Sequence, residues 1–573
     1  MTDTADDTVG VAVAHPNIGS PVPGFAQPAD HRTDAPSASP DRLVYFDAAR
    51  ALLPRWLKIV GRTPWFHDSA PWSPRSLRCA SALYRQQAAA LAIAILCELD
   101  RRRPDRSYLR EHVRASLIHW QLSLRGDGRP GHRRLLRGPL HVATAGHVVQ
   151  LLSETAGFQT SMLLGDLERH LQWLIHRPPR TPWVEAALVC AIADGGVIVR
   201  DTALLKHARS RLEALLARQN EEGWFPERGG ADVGRLSLTV DALARLYRQN
   251  EWQELKEPLG RAVRFLTHFV HPDGSVGGCY SSCDTEFISP YGVELLAPTF
   301  ADAAALALLC RRRWAAPALD EHYGGDDDLC AVLGASVALA AANAAPLPIE
   351  RCALPFETLG QTRFPRAGLT IFSTEAYHAV VAGRKGGALK VTWRNGATGI
   401  EDPGVVVVYP RGTRTATGPN VCSRQHVSGS SVTCGGILQR TGLMRDHPQP
   451  WIKRLAHKVG VGRWTSTALS MTDPAATNRY RSNHTDYGRL TRDRYSRQIT
   501  FGDDWIRIRD RVHCRLPCET IVCQSPSPVP VRPFGGSGLV SRSARPPIFV
   551  KGGRNVEIIR VYRNGELVNE HPA

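Results

Sequence analysis

The sequence has little lysine and no closely paired cysteines. Lysine supplies 8 of the 71 basic residues, so arginine carries most of the formal net charge of +17. The 13 cysteines are scattered along the chain, and none form the CxxC pairs of a zinc ribbon. We therefore expect reduced, mostly buried thiols and neither a bound metal nor a cofactor.

Long apolar runs are also missing. No stretch reaches the roughly 18 consecutive apolar residues that a membrane-spanning helix needs, so we expect no membrane partner. The first residues are acidic where a secretory signal would be basic, and no apolar core follows them. These features, together with the scattered cysteines, predict a cytoplasmic protein.

The excess positive charge suggests an anionic partner, although an arginine-rich composition also fits a GC-rich genome. The most basic and aromatic segment is 479–498, and Asp486 and Asp493 dilute its charge. Because no other run combines basic and aromatic residues, we do not expect nucleic-acid binding. Phosphate loops, Rossmann glycine patterns, G-x-S-x-G elbows and H-E-x-x-H helices are also absent from the sequence.

The chain divides into three regions by composition. Residues 1–40 are rich in Pro, Ala, Asp, Ser and Thr without periodicity, which predicts a disordered tail. Residues 41–346 are helical in pattern, and residues 347–573 alternate apolar and polar side chains. A chain of 573 residues is too long to fold around one hydrophobic core, which agrees with at least two domains.

The helical region shows apolar residues at 3.6-residue spacing in a series of segments. The predicted helices cover 81–102, 108–126, 140–157, 162–176, 182–196, 201–220, 233–249, 254–270, 291–314 and 329–345.

Two of the helix-to-helix connections resemble copies of one unit. A helix ends near Asn220 and turns through Gly223, and another ends near His271 and turns through Gly274, 51 positions later. A period of about 50 residues with two helices per unit is typical of a helical repeat. We therefore predict a toroid of about six helical hairpins, with its turns around a concave cleft.

The C-terminal region predicts an antiparallel β-sandwich. Apolar and polar residues alternate in 364–396, and further β-rich strings reach the end of the chain. "GDDW" (502–505) and "RNGE" (563–566) predict hairpin turns. One segment, 451–459, predicts a helix within this region. The fold class is thus α+β and multidomain.

Several strings resemble heparinase II/III-type polysaccharide lyases, which combine a helical toroid with a β-sandwich. "FPRAGLTIF…YHAVVAGRKGG" (364–387) is similar to the strand pair that opens the β-domain of that family. "GATGIEDPG" (396–404), "QHVSGSSVTCGG" (425–436) and "HPDGS…Y" (271–280) are similar to three further segments. At the place of the family's Asn-His pair, this chain has Thr181, Pro182 and Trp183.

The resemblance implies cleavage by β-elimination beside a uronic acid. This reaction needs a base for the sugar proton, an acid for the leaving oxygen and a group that neutralises the carboxylate. In the family a toroid tyrosine serves as base, so Tyr280 is the candidate here. Arg228, in the matching turn of the preceding repeat, and His426 are the candidates for stabilising charge.

Five more residues are candidates for binding the substrate. Tyr291 follows the same loop, and Asp241 and Glu294 occupy nearly matching places in two repeat helices. Arg384 and Lys385 lie on a glycine-flanked hairpin and could add positive charge to the cleft. Each has a structural alternative: a tyrosine packed on a helix, a carboxylate in an ion pair, or a solvated turn cation.

The sequence leaves several functions open. The leading hypothesis is a heparinase II/III-like protein that binds an acidic saccharide or related anion between toroid and sandwich and, if catalytic, cleaves it. A non-catalytic binding or scaffolding protein with the same fold is the second. An epimerase or a glycoside hydrolase is the third, and a hydrolase requires two carboxylates facing each other across the cleft. Substrate and oligomeric state stay open.

Overall fold

The described part of the chain contains an N-terminal helical region and a C-terminal sheet region. The structure is a computed structural model. The structure describes residues 40–61, 80–131, 140–178, 180–227, 230–250, 252–315, 327–347, 353–410, 414–418, 422–443, 481–482, 485–523 and 548–572. The predicted tail and the predicted helix at 451–459 lie outside these residues, apart from Pro40.

Twelve α-helices occupy the described residues before position 347. They are α1 (Pro40–Gly61), α2 (Ala80–Leu99), α3 (Arg106–Leu122), α4 (Leu140–Glu154), α5 (Ser161–Leu174), α6 (Pro182–Ile198), α7 (Thr202–Leu216), α8 (Val233–Asn250), α9 (Lys256–Thr267), α10 (Pro290–Leu296), α11 (Ala301–Trp314) and α12 (Asp327–Asn343). None of these helices is long and apolar enough to cross a bilayer.

The even-numbered helices form a closed inner ring. Around it, α2 packs on α4, α4 on α6, α6 on α8, α8 on α10, α10 on α12, and α12 returns to α2. The odd-numbered helices pack outside the ring, each against an inner neighbour. Inner helices contact neighbours on several sides, and α6 accordingly is apolar nearly all round, with 14 of its residues buried. The predicted toroid of about six hairpins is confirmed.

The two repeat turns have the same backbone hydrogen bonds. Asn220 N donates to Trp224 O at 3.1 Å, and His271 N donates to Ser275 O at 2.9 Å. Gly223 N donates to Asn220 O, and Gly274 N donates to His271 O. Both glycines have positive φ, +99° and +75°. The 51-residue repeat seen in the sequence is therefore a repeat of structure.

One predicted helix was wrong in extent. The segment 291–314 is not one helix but two, α10 and α11, with a turn between Leu296 and Ala301. Pro298 lies in this turn and explains it, since proline has no amide hydrogen with which to continue the hydrogen bonds of the helix. Phe300 N instead donates to Leu296 O and precedes the first residue of α11.

Sixteen β-strands are described after position 359, and neighbouring strands are antiparallel. They are β1 (Gly360–Phe364), β2 (Leu369–Ser373), β3 (Tyr377–Ala382), β4 (Ala388–Trp393), β5 (Ile400–Asp402), β6 (Val405–Val408), β7 (Arg414–Ala416), β8 (Cys422–Ser428), β9 (Ser431–Leu443), β10 (Arg481–Ser482), β11 (Thr485–Phe501), β12 (Trp505–His513), β13 (Thr520–Cys523), β14 (Ile548–Lys551), β15 (Asn555–Arg563) and β16 (Glu566–Pro572).

The strands form two sheets. The first has the order β1-β2-β3-β4-β5, and the second follows the path β14-β13-β6-β7-β9-β11-β12-β15-β16, with β8 on β9 and β10 on β11. Both predicted hairpins are present: β11 and β12 are joined through 502–504, and β15 and β16 through Asn564 and Gly565, both at positive φ.

The first sheet lies between the toroid and the second sheet. In β3, Val380 and Ala382 belong to the apolar core of the toroid. The alternate residues Ala379 and Val381 pack in a second core with Ile499 and Ile506 of the second sheet. Side chains that alternate along a strand point to opposite faces, so the first sheet is buried on both sides. The predicted sandwich is confirmed.

Buried charges also join the two sheets. Arg497 and Arg560 of the second sheet both bind Asp402 of β5, at 3.2 and 2.8 Å. Arg497 also binds Asp510 at 2.6 Å, and all four side chains are almost fully buried. Removing one partner would leave an uncompensated charge in the interior, so this cluster fixes how the sheets pair.

Candidate functional site

A cavity lies on the axis of the inner ring. Its volume is about 90 Å³, and all six inner helices contribute side chains to its wall. Alanine, leucine and valine form much of the surface. The polar and aromatic lining residues are Tyr84, His147, Gln150, Trp183, Cys190, Asp194, Asp241, Arg245, Tyr291 and Ser336.

Arg245 of α8 is the cation of this cavity wall. Its Nε lies 3.0 Å from Oδ2 of Asp194 on α6, and the two side chains are 3% and 7% exposed. Burial by itself lowers the pKa of Arg245, but the carboxylate of Asp194 and its neighbours keep that pKa above its ordinary value. The Nη2 atom has no hydrogen-bond partner among the described residues. The guanidinium is thus bound to Asp194 through Nε, while Nη2 is buried without a hydrogen-bond partner.

His147 and Gln150 of α4 add two more unpartnered nitrogens. The Nε2 atoms of both side chains are buried without a hydrogen-bond partner in the described part of the chain. The ring centroid of His147 is 5.1 Å from that of Tyr84. Burial lowers the pKa of His147 to about 4, so its imidazole is neutral at neutral pH.

These three nitrogens indicate the kind of ligand that fits. A guanidinium and a side-chain amide nitrogen only donate hydrogen bonds, whereas a neutral imidazole nitrogen can donate or accept. Leaving buried donors unsatisfied costs free energy. The cavity therefore suits a group rich in oxygen acceptors, such as a carboxylate with neighbouring hydroxyls.

Asp241 of α8 places a carboxylate on the cavity wall. It accepts hydrogen bonds from Gly292 N at 2.6 Å, from the Ser336 hydroxyl at 3.0 Å and from the Ser289 hydroxyl. Burial raises its pKa to about 6, although these three donors act in the opposite direction. Asp241 thus joins α8 to α10 and α12 while it faces the cavity.

Tyr291, at the start of α10, also lines the cavity. The residue is 4% exposed, and burial followed by the charge of Glu154 raises the pKa of its hydroxyl, while Arg245 lowers it. The phenol is therefore protonated at neutral pH and is a potential proton donor. Of the residues predicted as binding groups, Asp241 and Tyr291 are brought together on this cavity.

Tyr280 occupies a different place. Its hydroxyl lies 3.1 Å from Nε2 of His271, its ring packs on Phe269, and the residue is 2% exposed. It is not part of the cavity wall. Burial, followed by the influence of Cys279, raises the pKa of its hydroxyl. The structure places Tyr280 in the joint between the toroid and the first sheet.

The loop that carries Tyr280 is fixed to both sides of this joint. Cys279 N donates to Glu401 of β5 at 3.0 Å, and Lys390 Nζ of β4 donates to Gly277 O at 3.0 Å. On the toroid side, Asp232 accepts from Cys283 N and from the Thr285 hydroxyl, both at 2.8 Å. In the structure this loop fills space between the toroid and the sheet.

The other candidates in the described part of the chain lie away from the cavity wall. Lys385 binds Asp284 and the Ser281 carbonyl in the joint, and Arg384 donates to Arg366 O at 2.8 Å. Glu294 is buried in an ion pair with Arg311, 2.6 Å long. His426 is exposed on β8. Arg228 lies outside the described residues.

Sequence reasoning missed Arg245, Asp194, His147 and Gln150. The available indication was that Asp194 and Arg245 are charged residues within apolar helical patterns, where an isolated charge needs a partner. Their sequence separation is 51, equal to the turn repeat, but the sequence does not show that the neighbouring helices α4, α6 and α8 turn these side chains toward one cavity. Trp183, noted at the family's Asn-His place, does line the cavity.

Comparisons with known proteins give likeness of structure alone. No protein-family model matches the sequence, and no curated protein does. A chondroitin AC lyase of Streptomyces coelicolor, solved with chondroitin sulphate, is 13% identical with a TM-score of 0.46, over 91% of this chain and 83% of that one. A Paenibacillus xanthan lyase is 11% identical with a TM-score of 0.48, over 92% of this chain and 57% of that one. Another chondroitinase AC lyase is 10% identical, with a TM-score of 0.42, over 84% and 68%.

Proposed function

We propose that this protein binds an acidic saccharide and that the cavity on the ring axis receives the carboxylate-bearing edge of one sugar unit. The observation that supports the proposal is the set of unpartnered nitrogens on Arg245, His147 and Gln150 in one cavity. A cavity of about 90 Å³ is small for a ligand pocket, so it suits a carboxylate and the adjoining ring atoms rather than a whole polymer.

The same residues suit β-elimination. Arg245 and Gln150 would bind the carboxylate and so favour removal of the neighbouring ring proton. His147, neutral at neutral pH, would accept that proton at Nε2, and Tyr291 would donate its hydroxyl proton to the leaving glycosidic oxygen. One C–H and one C–O bond break, and a carbon–carbon double bond forms. We also propose that the chain is a heparinase II/III-like protein, since its segments 364–387, 396–404 and 425–436 resemble that family.

A glycoside hydrolase is the second candidate, because two carboxylates line the cavity. Asp194 is paired with Arg245, whereas burial raises the pKa of Asp241 to about 6. A carboxylate paired with a cation, beside a second carboxyl group whose pKa burial raises, is the arrangement that glycoside hydrolysis uses.

The two reactions give different products. Full-length protein is incubated with a panel of uronate-containing polysaccharides, and both ultraviolet absorbance and reducing ends are followed. Elimination increases both readings, whereas hydrolysis increases reducing ends alone. Binding without either product would show that the protein binds carbohydrate and does not cleave it. If no polysaccharide of the panel binds, the proposal is refuted.

We predict that Tyr291→Phe lowers turnover by about 10²- to 10⁴-fold, because it removes the proposed proton donor and little volume. Tyr45→Phe is the matched control: Tyr45 is also buried and donates to Glu294 at 2.8 Å, outside the cavity wall. We expect its turnover to stay within about twofold of the wild type. If Tyr280→Phe lost activity and Tyr291→Phe kept it, the catalytic site would lie at Tyr280, between the toroid and the first sheet.

A further inference from the structure

The outer face of the second sheet carries a row of arginines. In β12 the apolar residues Ile506 and Ile508 point into the sandwich, and the alternate residues Arg507, Arg509 and Arg511 point to solvent. Alternate residues of a strand are about 6.6 Å apart, so the row spans roughly 13 Å. Because the first sheet lies between this sheet and the toroid, the row is on the far side of the sandwich from the cavity.

The charge of this face is strongly unbalanced. Arg494 of β11 faces His513 across the strand pair and extends the basic surface. Glu557 of β15 is the one acid on the outward face of 494–500, 507–513 and 555–561. It accepts from Arg509 at 2.7 Å and from Arg511 at 2.5 Å, so one carboxylate serves two of four arginines.

Hydroxyl and amide groups border the arginines. Ser496, Gln498 and Thr500 of β11 lie directly opposite Arg511, Arg509 and Arg507 in the strand register. A groove of about 520 Å³ runs at the end of this face, lined by Arg494, Ser496, Arg511, His513, Asn555 and Glu557 among others. A strip of cations beside a strip of neutral hydrogen-bonding groups matches a chain that carries both acidic and hydroxyl groups.

We infer that this face, which we call the β12 arginine face (Arg494, Arg507, Arg509 and Arg511), binds a linear acidic polysaccharide. A single-stranded nucleic acid fits it less well, because single strands bind on successive aromatic side chains. The face offers one aromatic residue in its described part, Trp505, and its ring folds over Gly502. The inference does not rest on the proposed function, since this surface and the ring cavity are separate.

Affinity measurements test the inference. Binding of fluorescently labelled polygalacturonate and dextran sulfate is compared for full-length wild type and the triple variant Arg507→Gln, Arg509→Gln, Arg511→Gln. We expect the triple variant to bind both polymers at least about tenfold more weakly and with a smaller dependence on salt. Neutral dextran should not bind to either protein.

A matched triple variant controls for net charge. Arg101, Arg114 and Arg169 are 72%, 54% and 50% exposed on the toroid side, so their replacement by Gln removes the same charge elsewhere. We expect less than about a twofold change. Equal losses in both triple variants would overturn the inference, because the binding would then follow overall charge.

Two further arms complete the test. Arg507→Gln alone leaves both ion pairs of Glu557 in place and serves as the test if the triple variant does not fold. We expect it to weaken polymer binding about two- to threefold. Duplex DNA is added as competitor. If DNA binds more tightly than both polysaccharides and loses its affinity in the same triple variant, the face is a nucleic-acid surface and the inference is wrong.

Discussion

Asp241 shows how one residue combines a structural contact with a place in the cavity. Its carboxylate accepts hydrogen bonds from α10, from α12 and from the segment before α10. Burial nevertheless raises its pKa from 3.8 to about 6. The folded protein therefore binds a proton between about pH 4 and pH 6 that the unfolded chain has released. Stability from this group is lost as the pH rises through that window.

We predict that Asp241→Asn removes this pH dependence. The free energy of unfolding, measured by urea titration between pH 4 and pH 7, should fall with pH less steeply in the variant than in the wild type. At neutral pH the variant should also be less stable by about 1–3 kcal/mol, since an amide group cannot accept three hydrogen bonds as a carboxylate does. Asp127→Asn, at a loop residue whose side chain is 53% exposed, should change neither quantity appreciably. Identical pH profiles for wild type and Asp241→Asn would contradict the assignment.

The repeat turns are the elements that position the inner helices. Gly223 and Gly274 occupy equivalent places, and both have positive φ, which costs other residues roughly 1–2 kcal/mol. Their surroundings differ. A Cβ atom on Gly223 would come within 2.3 Å of Arg261 O, whereas the nearest atom to a Cβ on Gly274 is Leu309 Cδ1 at 3.9 Å.

This pair of glycines separates backbone strain from steric overlap. We predict that Gly274→Ala costs about 1–2 kcal/mol, from the positive φ alone. Gly223→Ala should cost more, by about 1–3 kcal/mol, because the turn must also move away from α9. Chemical denaturation of the two variants measures the difference. Equal losses of stability in the two variants would contradict this prediction and would mean that the turn at Gly223 moves away from α9 at no cost.

At the scale of the whole molecule, a joint of buried and half-buried charges holds toroid and sandwich together. Glu286 from the toroid loop and Glu401 from β5 lie side by side, with Lys390 of β4 close to both. His271, Asp284 and Cys279 from the toroid and Lys385 from the sheet region lie around them. Burial, followed by the negative charge of Glu401, raises the pKa of Glu286 to about 8.

We predict that the joint weakens as the pH rises from about 5 to 8. In this range the unfolded chain has lost the proton of Glu286 while the folded protein retains it, so the free energy of unfolding falls with pH. Glu286→Gln keeps a neutral side chain at all pH values and should flatten the decline. Thermal unfolding from pH 5 to pH 9 measures it, with Glu257→Gln, 88% exposed, as control. A decline of unchanged slope in Glu286→Gln would place the pH sensitivity elsewhere.

Local sequence patterns predicted helices and strands well where one apolar face of the element packs against the core. Helix periodicity predicted most of the toroid, the 51-residue repeat predicted its turns, and asparagine-glycine and aspartate turns predicted two hairpins. The prediction of one helix at 291–314 failed at Pro298, because a proline without an amide hydrogen ends the helix although the apolar pattern continues. The candidate site was harder to predict from sequence. Tyr280 lies in the loop before α10 and Tyr291 at the start of that helix, so their sequence surroundings are similar.

The amino-acid sequence by itself determined the order of a helical region and a β-region, the repeat and the excess of arginine, because each depends on neighbours in the chain. Only the tertiary structure decided which polar groups meet. Ring closure brings Arg245, Asp194, His147 and Tyr291 from four helices to one cavity, while the docked sheet buries Tyr280 in the joint. The register of β11 and β12 likewise adds Arg494 to the face that carries the arginines of β12. Such contacts join residues tens to hundreds of positions apart, and their free energy exists only once the chain has closed.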